Sequence, residues 1–461
     1  MDDSTFRDSL TTVDKQGKRK WVFAKQPKGR WYNIRSLLSV FYFSVFFSLP
    51  FISINGRPLF MLNVVEGKFI LFGAIFWPQD FFIFGLAMLT FILFVVLFTM
   101  AFGRLFCGWM CPQTIFMEML FRRIEYWIEG NAAQQQRLQQ QAWNTDKIIR
   151  KTGKHLAFYA LSFIIANTFL AYIIGGRALV KIITGPVNEH TGGLAAILVF
   201  SGVFYGVFAF MREQVCTAVC PYGRLQGVLL DKNSVLVAYD YKRGEPRGKY
   251  RKDAQRAEGD CIDCLQCVHV CPTGIDIRNG TQLECVNCTA CIDTCDFMME
   301  KTGRPKGLIR YASENGIANK EPLRFTPRLR IYSAILTILL GAITFMLISR
   351  KPVSGTIMRT TGMLYQERGH DSVSNLYRIK LINKTAADIP LTLRLENTPG
   401  HIEIAGKPLI HVKAEGQGEG TFFIILPKNA IQHRKSSLTV GIYQHNNRIA
   451  GLPTTFLGPA E

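Results

Sequence analysis

Two cysteine-rich stretches decide how this chain is interpreted. Residues 261–272 read CIDCLQCVHVCP, and residues 285–296 read CVNCTACIDTCD. In each stretch four cysteines are separated by two, two and three other residues. Clustered cysteines in a reducing compartment point to metal or redox chemistry, because cytoplasmic thiols do not persist as disulfides. Both stretches are therefore predicted to bind metal.

The spacing of these cysteines is that of bacterial ferredoxins, in which the fourth cysteine of each run ligates the cluster of the other run. We therefore predict a bacterial-ferredoxin-like module that holds two [4Fe-4S] clusters. The predicted cluster 1 cysteines are Cys261, Cys264, Cys267 and Cys295. The predicted cluster 2 cysteines are Cys285, Cys288, Cys291 and Cys271. Zinc, which takes four thiolates at a tetrahedral site, is the competing metal.

Two residues within the runs need separate interpretation. Asp296 follows Cys295, where the ferredoxin motif usually has proline, as Pro272 follows Cys271. Charge near the sulfurs tunes the potential of a cluster, so Asp296 is predicted to change the potential without removing a ligand. His269 is expected to pack beside its cluster.

The other four cysteines form a second, repeated motif. Residues 107–112 read CGWMCP, which we name the first CxxxCP motif, and residues 216–221 read CTAVCP, the second CxxxCP motif. Each directly follows an apolar stretch, so a two-helix hairpin ending in this motif is duplicated. Two such hairpins packed together would bring the four thiols to one place at the membrane surface. The candidate catalytic or copper-binding residues are thus Cys107, Cys111, Cys216 and Cys220. The alternative is that they are ordinary cysteines at a membrane border.

Both CxxxCP motifs end in a proline, which favours the first position of a helix. Cys111 and Cys220 are therefore predicted to cap helices, where the helix dipole lowers a thiol pKa. Three basic residues are expected to act on the thiols in the same direction, namely Arg104, Arg212 and Arg224. The motifs are predicted to favour thiolates that bind a soft metal or donate electrons.

Five apolar stretches are long enough to cross a bilayer as helices. They are Ser36–Ile54, Phe81–Phe102, Leu156–Ile174, Leu194–Met211 and Ile331–Ile348. Buried helices of a large soluble protein are the alternative, but each stretch is nearly free of charge and flanked by Lys, Arg, Trp or Tyr. The chain is therefore predicted to be a multi-pass membrane protein whose partner is the lipid bilayer.

The distribution of basic residues predicts the orientation. Lys and Arg number nine before the first stretch, then two, eight, two and nineteen in the successive segments between stretches. Basic segments stay in the cytoplasm, so the N-terminus and residues 103–154 and 212–330 are predicted to be cytoplasmic, and no secretory signal opens the chain. All twelve cysteines fall on that side. Because orientation already requires much of the net charge of +20, no nucleic-acid partner is predicted.

The remaining segments complete a multi-domain architecture. After Arg350, short alternating runs such as Tyr377, Ile379 and Leu381 predict an immunoglobulin-like β-sandwich without cysteines on the far side of the membrane. Residues 131–154 are predicted to be a solvated connector. The predicted domains are a tail over 1–35, a four-span membrane domain over 36–230, the ferredoxin-like domain over 231–330, a fifth span over 331–349 and the sandwich over 350–461. With no nucleotide-binding fingerprint in the sequence, electrons are expected to come from another protein or from quinol.

Together these features resemble the CcoG/FixG/RdxA family of cytochrome oxidase accessory proteins. The resemblance rests on the five spans, the paired CxxxCP motifs after spans two and four, the double ferredoxin run and the exported sandwich. It implies a protein of the bacterial cytoplasmic membrane that reduces Cu(II) to Cu(I) for assembly of a cbb-type oxidase. It also implies copper ions, copper chaperones or oxidase subunits as partners, the four CxxxCP cysteines as the copper-handling or electron-exit site, and the eight ferredoxin cysteines as a relay.

Three functions follow as hypotheses. The first is an enzyme that passes electrons through two clusters to copper at the CxxxCP thiols. The second is a redox conduit in which those thiols hold a further metal centre and electrons go to a quinone or a partner protein. The third is an oxidase-assembly scaffold that binds through the exported sandwich.

Overall fold

The computed structural model describes residues 12, 13, 16, 18–54, 57–63, 67–72, 74–76, 81–249, 259–322, 326–349, 352–360, 364–385, 387–406, 410–414, 416–431, 433–444 and 446–459. The chain divides into two compact units, which are described in turn. The first comprises Met1–Gly73 and Phe84–Gly341, and the second comprises Ala74–Ile83 and Ala342–Glu461.

Five helices among the described residues are long and apolar enough to cross a membrane. Their bounds are Arg30–Ser48, Phe81–Phe102, Thr145–Ile174, Thr191–Gly206 and Pro327–Ile348. The fourth continues as a π-helical turn, Val207–Met211. Each predicted apolar stretch is mainly helical. The first and third helices begin six and eleven residues earlier than predicted, at Arg30 and Thr145 rather than Ser36 and Leu156. The end of the first stretch was predicted wrongly, because its α-helix ends at Ser48 and Ser53–Ile54 is a strand.

Residues 131–154 are mostly exposed, as predicted for a solvated connector, but most of them are helical and a few side chains are buried. Residues Ala132–Gln140 form a helix, with Asn131 and Gln134 exchanging the two hydrogen bonds of a capping box. The rest of the segment belongs mostly to the third long helix, and Lys154 is buried where its ammonium lies 2.9 Å from the Glu129 carboxylate. A lysine that has such a partner need not face solvent, which composition alone does not reveal.

The shorter elements of the first unit connect the long helices to the cysteine runs. The helices and helical turns are Leu49–Phe51, Leu105–Trp109, Pro112–Phe116, Met117–Phe121, Arg122–Glu129, Gly176–Thr184, Val187–Glu189, Val215–Val219, Pro221–Leu229, Tyr241–Gly244, Gln266–His269, Ile277–Asn279, Ala290–Lys301 and Glu314–Ala318. The strands are Ser53–Ile54 paired with Arg57–Pro58, Phe60–Asn63 paired with Lys68–Leu71, and Leu236–Tyr239 paired with Ile309–Ala312. The last pair brings together the two ends of the segment that carries both cysteine runs.

Aromatic packing joins the segment after the first CxxxCP motif to the long helices. Phe121 is fully buried, stacks on Phe208 at 4.3 Å between ring centroids and meets Phe158 edge-on at 5.0 Å. The third and fourth long helices supply Phe158 and the turn with Phe208. This core fixes the position of the segment that carries the first motif.

The second unit is a β-sandwich, apart from the short strand Ala74–Phe76. One sheet has the order His401–Ile404, Gln417–Pro427, Ser372–Asn383 and Val353–Arg359, and Gln366–Arg368 also pairs with Ser372–Asn383. The other has the order Ile410–Val412, Ile389–Leu395, Lys435–Gln444 and Asn447–Leu457. All described strand pairings of the sandwich are antiparallel. Alternate residues of both sheets point into one shared core, as the alternation of apolar and polar residues in the sequence predicts.

Tyr377 links the two sheets of this unit. Its ring is fully buried, and its hydroxyl donates a hydrogen bond of 2.9 Å to the Thr455 carbonyl oxygen. Tyr377→Phe is expected to lower the free energy of unfolding of this unit by about 0.5–1.5 kcal/mol, because the carbonyl loses its partner. Hydrogen exchange of residues 372–383 in the full-length protein measures the change. Tyr365→Phe, at the partly buried edge of the same core, is the control, and equal losses from both variants would contradict this account.

Candidate functional site

The two CxxxCP motifs have the same backbone architecture. The second and fourth long helices are each followed directly by a residue with positive φ. These residues are Gly103, with φ 55°, and Arg212, with φ 52°, and each lies four residues before the first cysteine of its motif. A single helical turn, Leu105–Trp109 or Val215–Val219, then carries that first cysteine. The repeat seen in the sequence is thus also a repeat of structure, and its positive-φ turn was not evident from the cysteine spacing.

The second cysteine of each motif caps a helix, as predicted from the prolines. Cys111 precedes the helix Pro112–Phe116, and Cys220 precedes Pro221–Leu229. The first cysteine of each motif lies instead inside the preceding turn. The two cysteines of each motif therefore have different backbone settings.

The expectation that neighbouring charges make the thiols acidic is wrong for Cys107 and Cys216. Burial raises the pKa of Cys107, and the Arg104 charge and the Gln226 amide only partly oppose it. Burial also raises the pKa of Cys216 to about 12. Without metal these two thiols hold their protons, and a bound metal would have to displace them.

The prediction that the Arg212 charge lowers the pKa of the CxxxCP thiols is wrong, because this charge is paired elsewhere. Its guanidinium lies 2.7 Å from the Glu125 carboxylate, both groups are buried, and the Trp21 ring lies 4.8 Å from the guanidinium carbon. Burial alone would raise the pKa of Glu125, but Arg212 and neighbouring basic groups outweigh burial and hold it below its usual value. Arg212 also has a positive φ of 52°, a conformation that is uncommon for a residue with a side chain. The predicted role of Arg224 lies outside the described side chains.

Three of the four CxxxCP thiols lie within electrostatic reach of one another. The charge state of Cys111 affects the pKa of both Cys107 and Cys216, and that of Cys107 affects Cys216. The Gln226 amide nitrogen donates to the Cys107 sulfur at 3.3 Å, and the Thr114 hydroxyl lies 3.9 Å from the Cys216 sulfur. The helix that follows each motif thus contacts the first cysteine of the other motif, as expected for two hairpins whose ends converge.

The ferredoxin-type cysteines line two separate small cavities, grouped as the sequence predicts. The cluster 2 cysteines border one cavity, and Cys267 also reaches its wall. The cluster 1 cysteines border the other. The fourth cysteine of each run therefore lies with the first three of the other run. Cys271 crosses to the second run and Cys295 to the first.

Backbone geometry explains why both runs curl around a cavity. Asp263 and Leu265 in the first run, and Asn287 and Thr289 in the second, all have positive φ and flank the second cysteine of their run. This conformation is uncommon for residues with side chains, and Asn and Asp adopt it most readily. Residues at these positions turn the chain so that successive cysteines point inward.

The residues present fit an iron–sulfur cluster in each cavity. All eight cysteines are free thiols. The walls are otherwise mainly apolar, with Val237, Ile275 and Ile277 around cluster 2 and Ile262, Met299 and Leu308 around cluster 1. Soft thiolates in an apolar, enclosed space are the donor set of such clusters. Among the described residues no three His, Cys, Asp or Glu side chains form a compact single-ion site.

Asp296 and His269 are explained by their positions. Asp296 lies within the helix Ala290–Lys301 and accepts a hydrogen bond of 2.8 Å from the Gly307 N–H. Proline there would interrupt the helix, whereas Pro272 follows a helix that has already ended. The expectation that His269 packs beside a cluster is wrong, because its side chain is exposed. Its carbonyl oxygen accepts a hydrogen bond of 2.7 Å from the Lys25 N–H.

The cluster 2 loop contacts the first CxxxCP motif directly. A Cβ added to Gly108 would lie 2.4 Å from the Val286 carbonyl oxygen, so the two backbones touch. Arg35 donates from Nε to the Gly108 carbonyl at 3.0 Å and from Nη1 to the Cys288 carbonyl at 3.0 Å. The Trp109 indole donates to the Tyr311 hydroxyl at 3.1 Å. These contacts were not predictable from local patterns, because they join residues far apart in the chain.

The segment before the first long helix binds the ferredoxin module and the membrane-proximal helices together. The N–H groups of Trp31 and Tyr32 donate to the Asp293 carboxylate at 3.0 and 2.8 Å. The Tyr126 hydroxyl donates to the Ala24 carbonyl at 2.9 Å, and Arg19 pairs with Glu213 at 3.0 Å. A basic tail predicted only for orientation therefore also holds the site together.

Comparison with known families matches three parts of the chain. Residues 211–314 match the model described as "4Fe-4S dicluster domain", and residues 84–131 match a "4Fe-4S binding domain". Residues 343–459 match the model described as "IG-like fold at C-terminal of FixG". The first two segments contain the CxxxCP motifs and both ferredoxin-type runs, and the third is the β-sandwich.

Several known proteins resemble the chain along most of its length. The "Nitrogen fixation protein FixG" of Rhizobium meliloti is 31% identical, with 94% of each chain aligned. "Protein RdxB" of Cereibacter sphaeroides is also 31% identical, over 85% of this chain and 88% of its own. A crystal structure of a FixG-related protein from Vibrio parahaemolyticus aligns with a TM-score of 0.21 at 17% identity, over 23% of this chain and 97% of that one.

Proposed function

Because this chain belongs to the family of FixG and RdxB, we propose that it reduces Cu(II) to Cu(I) at the CxxxCP thiols, using electrons supplied through its ferredoxin module. Family membership and the matched cluster-binding domains establish the coarser function, that of an iron–sulfur membrane protein in electron transfer. Copper, the oxidase and the orientation in the membrane belong to the proposal.

The observation that carries the proposal is the contact between the cluster 2 loop and the first CxxxCP motif. Gly108 follows Cys107 and touches the backbone of Val286, which follows Cys285. The cluster 2 cysteines would hold the [4Fe-4S] cluster nearest to the CxxxCP thiols, and the cluster 1 cysteines would hold the one farther along the module. When bound, these clusters supply single electrons.

The CxxxCP thiols suit the product of the proposed reaction. Cu(I) is the soft ion that thiolates select, whereas Cu(II) prefers nitrogen and oxygen ligands. The four cysteines would bind copper as substrate, each Cu(II) would gain one electron, and the product would remain thiolate-bound until transferred. An external donor, a protein or a quinol, restores the electron. Copper chaperones or cbb-type oxidase subunits are the proposed recipients.

Removal of single CxxxCP thiols tests this function. Anaerobically purified full-length protein, reduced and freed of excess reductant, is titrated with Cu(II) while a Cu(I)-specific chelator reports the product. We expect about two Cu(I) per chain from two one-electron clusters. Cys107→Ala and Cys216→Ala should abolish this reduction and leave the cluster spectra intact. Thr217→Ala, within the second motif, is the control and should reduce copper normally. Normal reduction by either cysteine variant would remove the proposed exit site.

A second candidate function is favoured by one comparison. The segment matched as a "4Fe-4S binding domain", residues 84–131, contains only Cys107 and Cys111 as cysteines. On this reading the CxxxCP cysteines hold a further metal centre and pass electrons to a quinone or a partner protein. Iron analysis separates the two functions. Two clusters require about eight irons per chain, and about twelve, falling to eight in Cys107→Ala, would favour the conduit.

A further inference from the structure

We propose that Arg35 and Arg104 raise the reduction potential of cluster 2 above that of cluster 1, and so direct electrons toward the CxxxCP thiols. The inference deepens the proposed electron relay and rests on the two cysteine quartets holding clusters. Arg35 and Arg104 are both buried, and the cysteine patterns in the sequence did not indicate that they lie near cluster 2.

Arg35 is a buried cation at the junction of the module and the first long helix. It is 3% exposed, and its Nε and Nη1 donate to the carbonyl oxygens of Gly108 and Cys288. Its Nη2 is buried without a hydrogen-bond partner. In the part of the chain that the structure describes, no carboxylate forms an ion pair with it. Its hydrogen bond to the Cys288 carbonyl places the guanidinium against the backbone of a cluster 2 cysteine.

Arg104 occupies a similar place on the other side of the same loop. It is 3% exposed, its Nε donates to the Gln226 amide oxygen at 2.5 Å, and its Nη1 donates to the Leu283 carbonyl oxygen. Its Nη2 is also buried and unpartnered, and no described carboxylate pairs with it. Gln226 in turn contacts the Cys107 sulfur and Leu283 lies two residues before Cys285, so Arg104 joins the cluster 2 loop to the first CxxxCP motif.

Buried cations without carboxylates need an anion nearby. Removing a charge from water costs several kcal/mol, and an unpaired buried charge is strongly destabilising. Four thiolates around a [4Fe-4S] core carry net negative charge, so a bound cluster supplies the missing counter-charge. Adding an electron makes that cluster more negative, and the two guanidinium groups favour the added charge. They thus raise the potential of cluster 2.

The described cation beside cluster 1, unlike those beside cluster 2, is paired with carboxylates. Arg278 borders that cavity, but its guanidinium is held by Asp263 at 2.5 Å and by Asp276 at 2.6 Å. Among the described residues that line this cavity, Arg278 is the one charged side chain. Asp296 directly follows Cys295, so a carboxylate also lies next to a cluster 1 cysteine in the sequence.

Carboxylates near cluster 2 do not cancel its arginines. The Glu118 carboxylate lies 3.2 Å from Arg122, which neutralises it. Asp293, two residues after Cys291, accepts hydrogen bonds from the Trp31 and Tyr32 N–H groups at the start of the first long helix. Glu284 precedes Cys285 and is buried. In the described part of the chain none of these carboxylates forms an ion pair with Arg35 or Arg104, so both guanidinium charges remain available to cluster 2.

This asymmetry gives the relay a direction. One electron leaves cluster 1, which is oxidised by one electron, and enters cluster 2, which is reduced by one electron. No atom or proton needs to move between them. Cluster 2 is then the more oxidising of the two and the one in contact with the first CxxxCP motif.

The test is a redox titration of the anaerobically purified full-length protein, followed by electron paramagnetic resonance without copper. Arg35→Gln and Arg104→Gln should each lower the higher of the two wild-type potentials and leave the lower one unchanged. We expect the ratio of electrons on cluster 2 to electrons on cluster 1 to fall at least tenfold, which corresponds to a potential shift of about 59 mV for one electron. Arg35→Lys and Arg104→Lys keep the charge and should retain most of the wild-type value. Intact clusters with unchanged potentials in both Gln variants would overturn the proposal.

A second variant keeps the test valid if the arginine variants lose a cluster. Asp296→Asn preserves the acceptor for the Gly307 N–H but removes a charge beside Cys295. It should raise the lower of the two potentials. If it raises the higher one, cluster 1 is the more oxidising cluster and the proposed direction is wrong. Because copper is absent, the potentials report on the arginines even if the protein does not reduce copper.

Discussion

The double variant Cys271→Ala/Cys285→Ala is expected to retain about four irons per chain, half of the about eight that two clusters require. Both cysteines border the same cavity, although they belong to different runs. Removing two ligands from one cluster destroys it, whereas the cluster 1 cysteines keep all four ligands. The surviving cluster should give an unaltered spectrum.

The matched variant Cys271→Ala/Cys261→Ala removes two cysteines from the same run. Cys261 borders the other cavity, so each cluster loses one ligand and both spectra should change. Iron analysis and electron paramagnetic resonance of the two variants, purified in parallel, separate the crossed arrangement from clusters held by single runs. If the same-run variant kept one unaltered cluster and the crossed variant kept none, the assignment of Cys271 and Cys295 would be wrong.

The grouping of the cysteines could be predicted because it depends on local spacing. Three thiols at two-residue intervals follow one curled segment, and the longer step to Cys271 or Cys295 carries the fourth away. The helical stretches were equally accessible, since length and hydropathy are local properties. Caps at Cys111 and Cys220 followed from the prolines beside them. Each of these features is encoded within about twenty residues, so a pattern in the sequence suffices.

The electrostatics of the site could not be predicted in the same way. Arg212 stands four residues from Cys216 in the sequence, yet the ion pair with Glu125, eighty-seven residues away, takes its charge. Arg35 looked like one more basic residue of a cytoplasmic tail, but it is buried against Gly108 and Cys288. Burial and partners decide a pKa or a potential, and both depend on contacts between distant segments. The raised pKa of Cys107 is the clearest example.

Gly108→Ala is expected to impair electron delivery to the CxxxCP thiols more than any other single methyl group would. The added carbon would lie 2.4 Å from the Val286 carbonyl oxygen and 2.9 Å from the Asn287 carbonyl oxygen. These are backbone atoms of the loop between Cys285 and Cys288, so no side chain can rotate to relieve the clash. The loop must move away from the first CxxxCP motif. Overpacking of this kind costs about 1–3 kcal/mol in stability.

The consequence of that displacement is functional as well as structural. Electron transfer slows steeply as donor and acceptor separate, so the reduced variant should transfer electrons to Cu(II) more slowly than wild type while retaining both clusters. Stopped-flow mixing with Cu(II) measures the rate, and thermal unfolding in detergent measures the stability. Gly153→Ala is the matched control, because that glycine lies in the helix Thr145–Ile174 with no neighbouring atom within 4 Å of the added carbon. Alanine there should leave the rate unchanged and stabilise the helix by about 0.5–1 kcal/mol. A wild-type rate in Gly108→Ala would mean that electrons do not pass where the loop and the motif touch, and that the exit site lies elsewhere on the module.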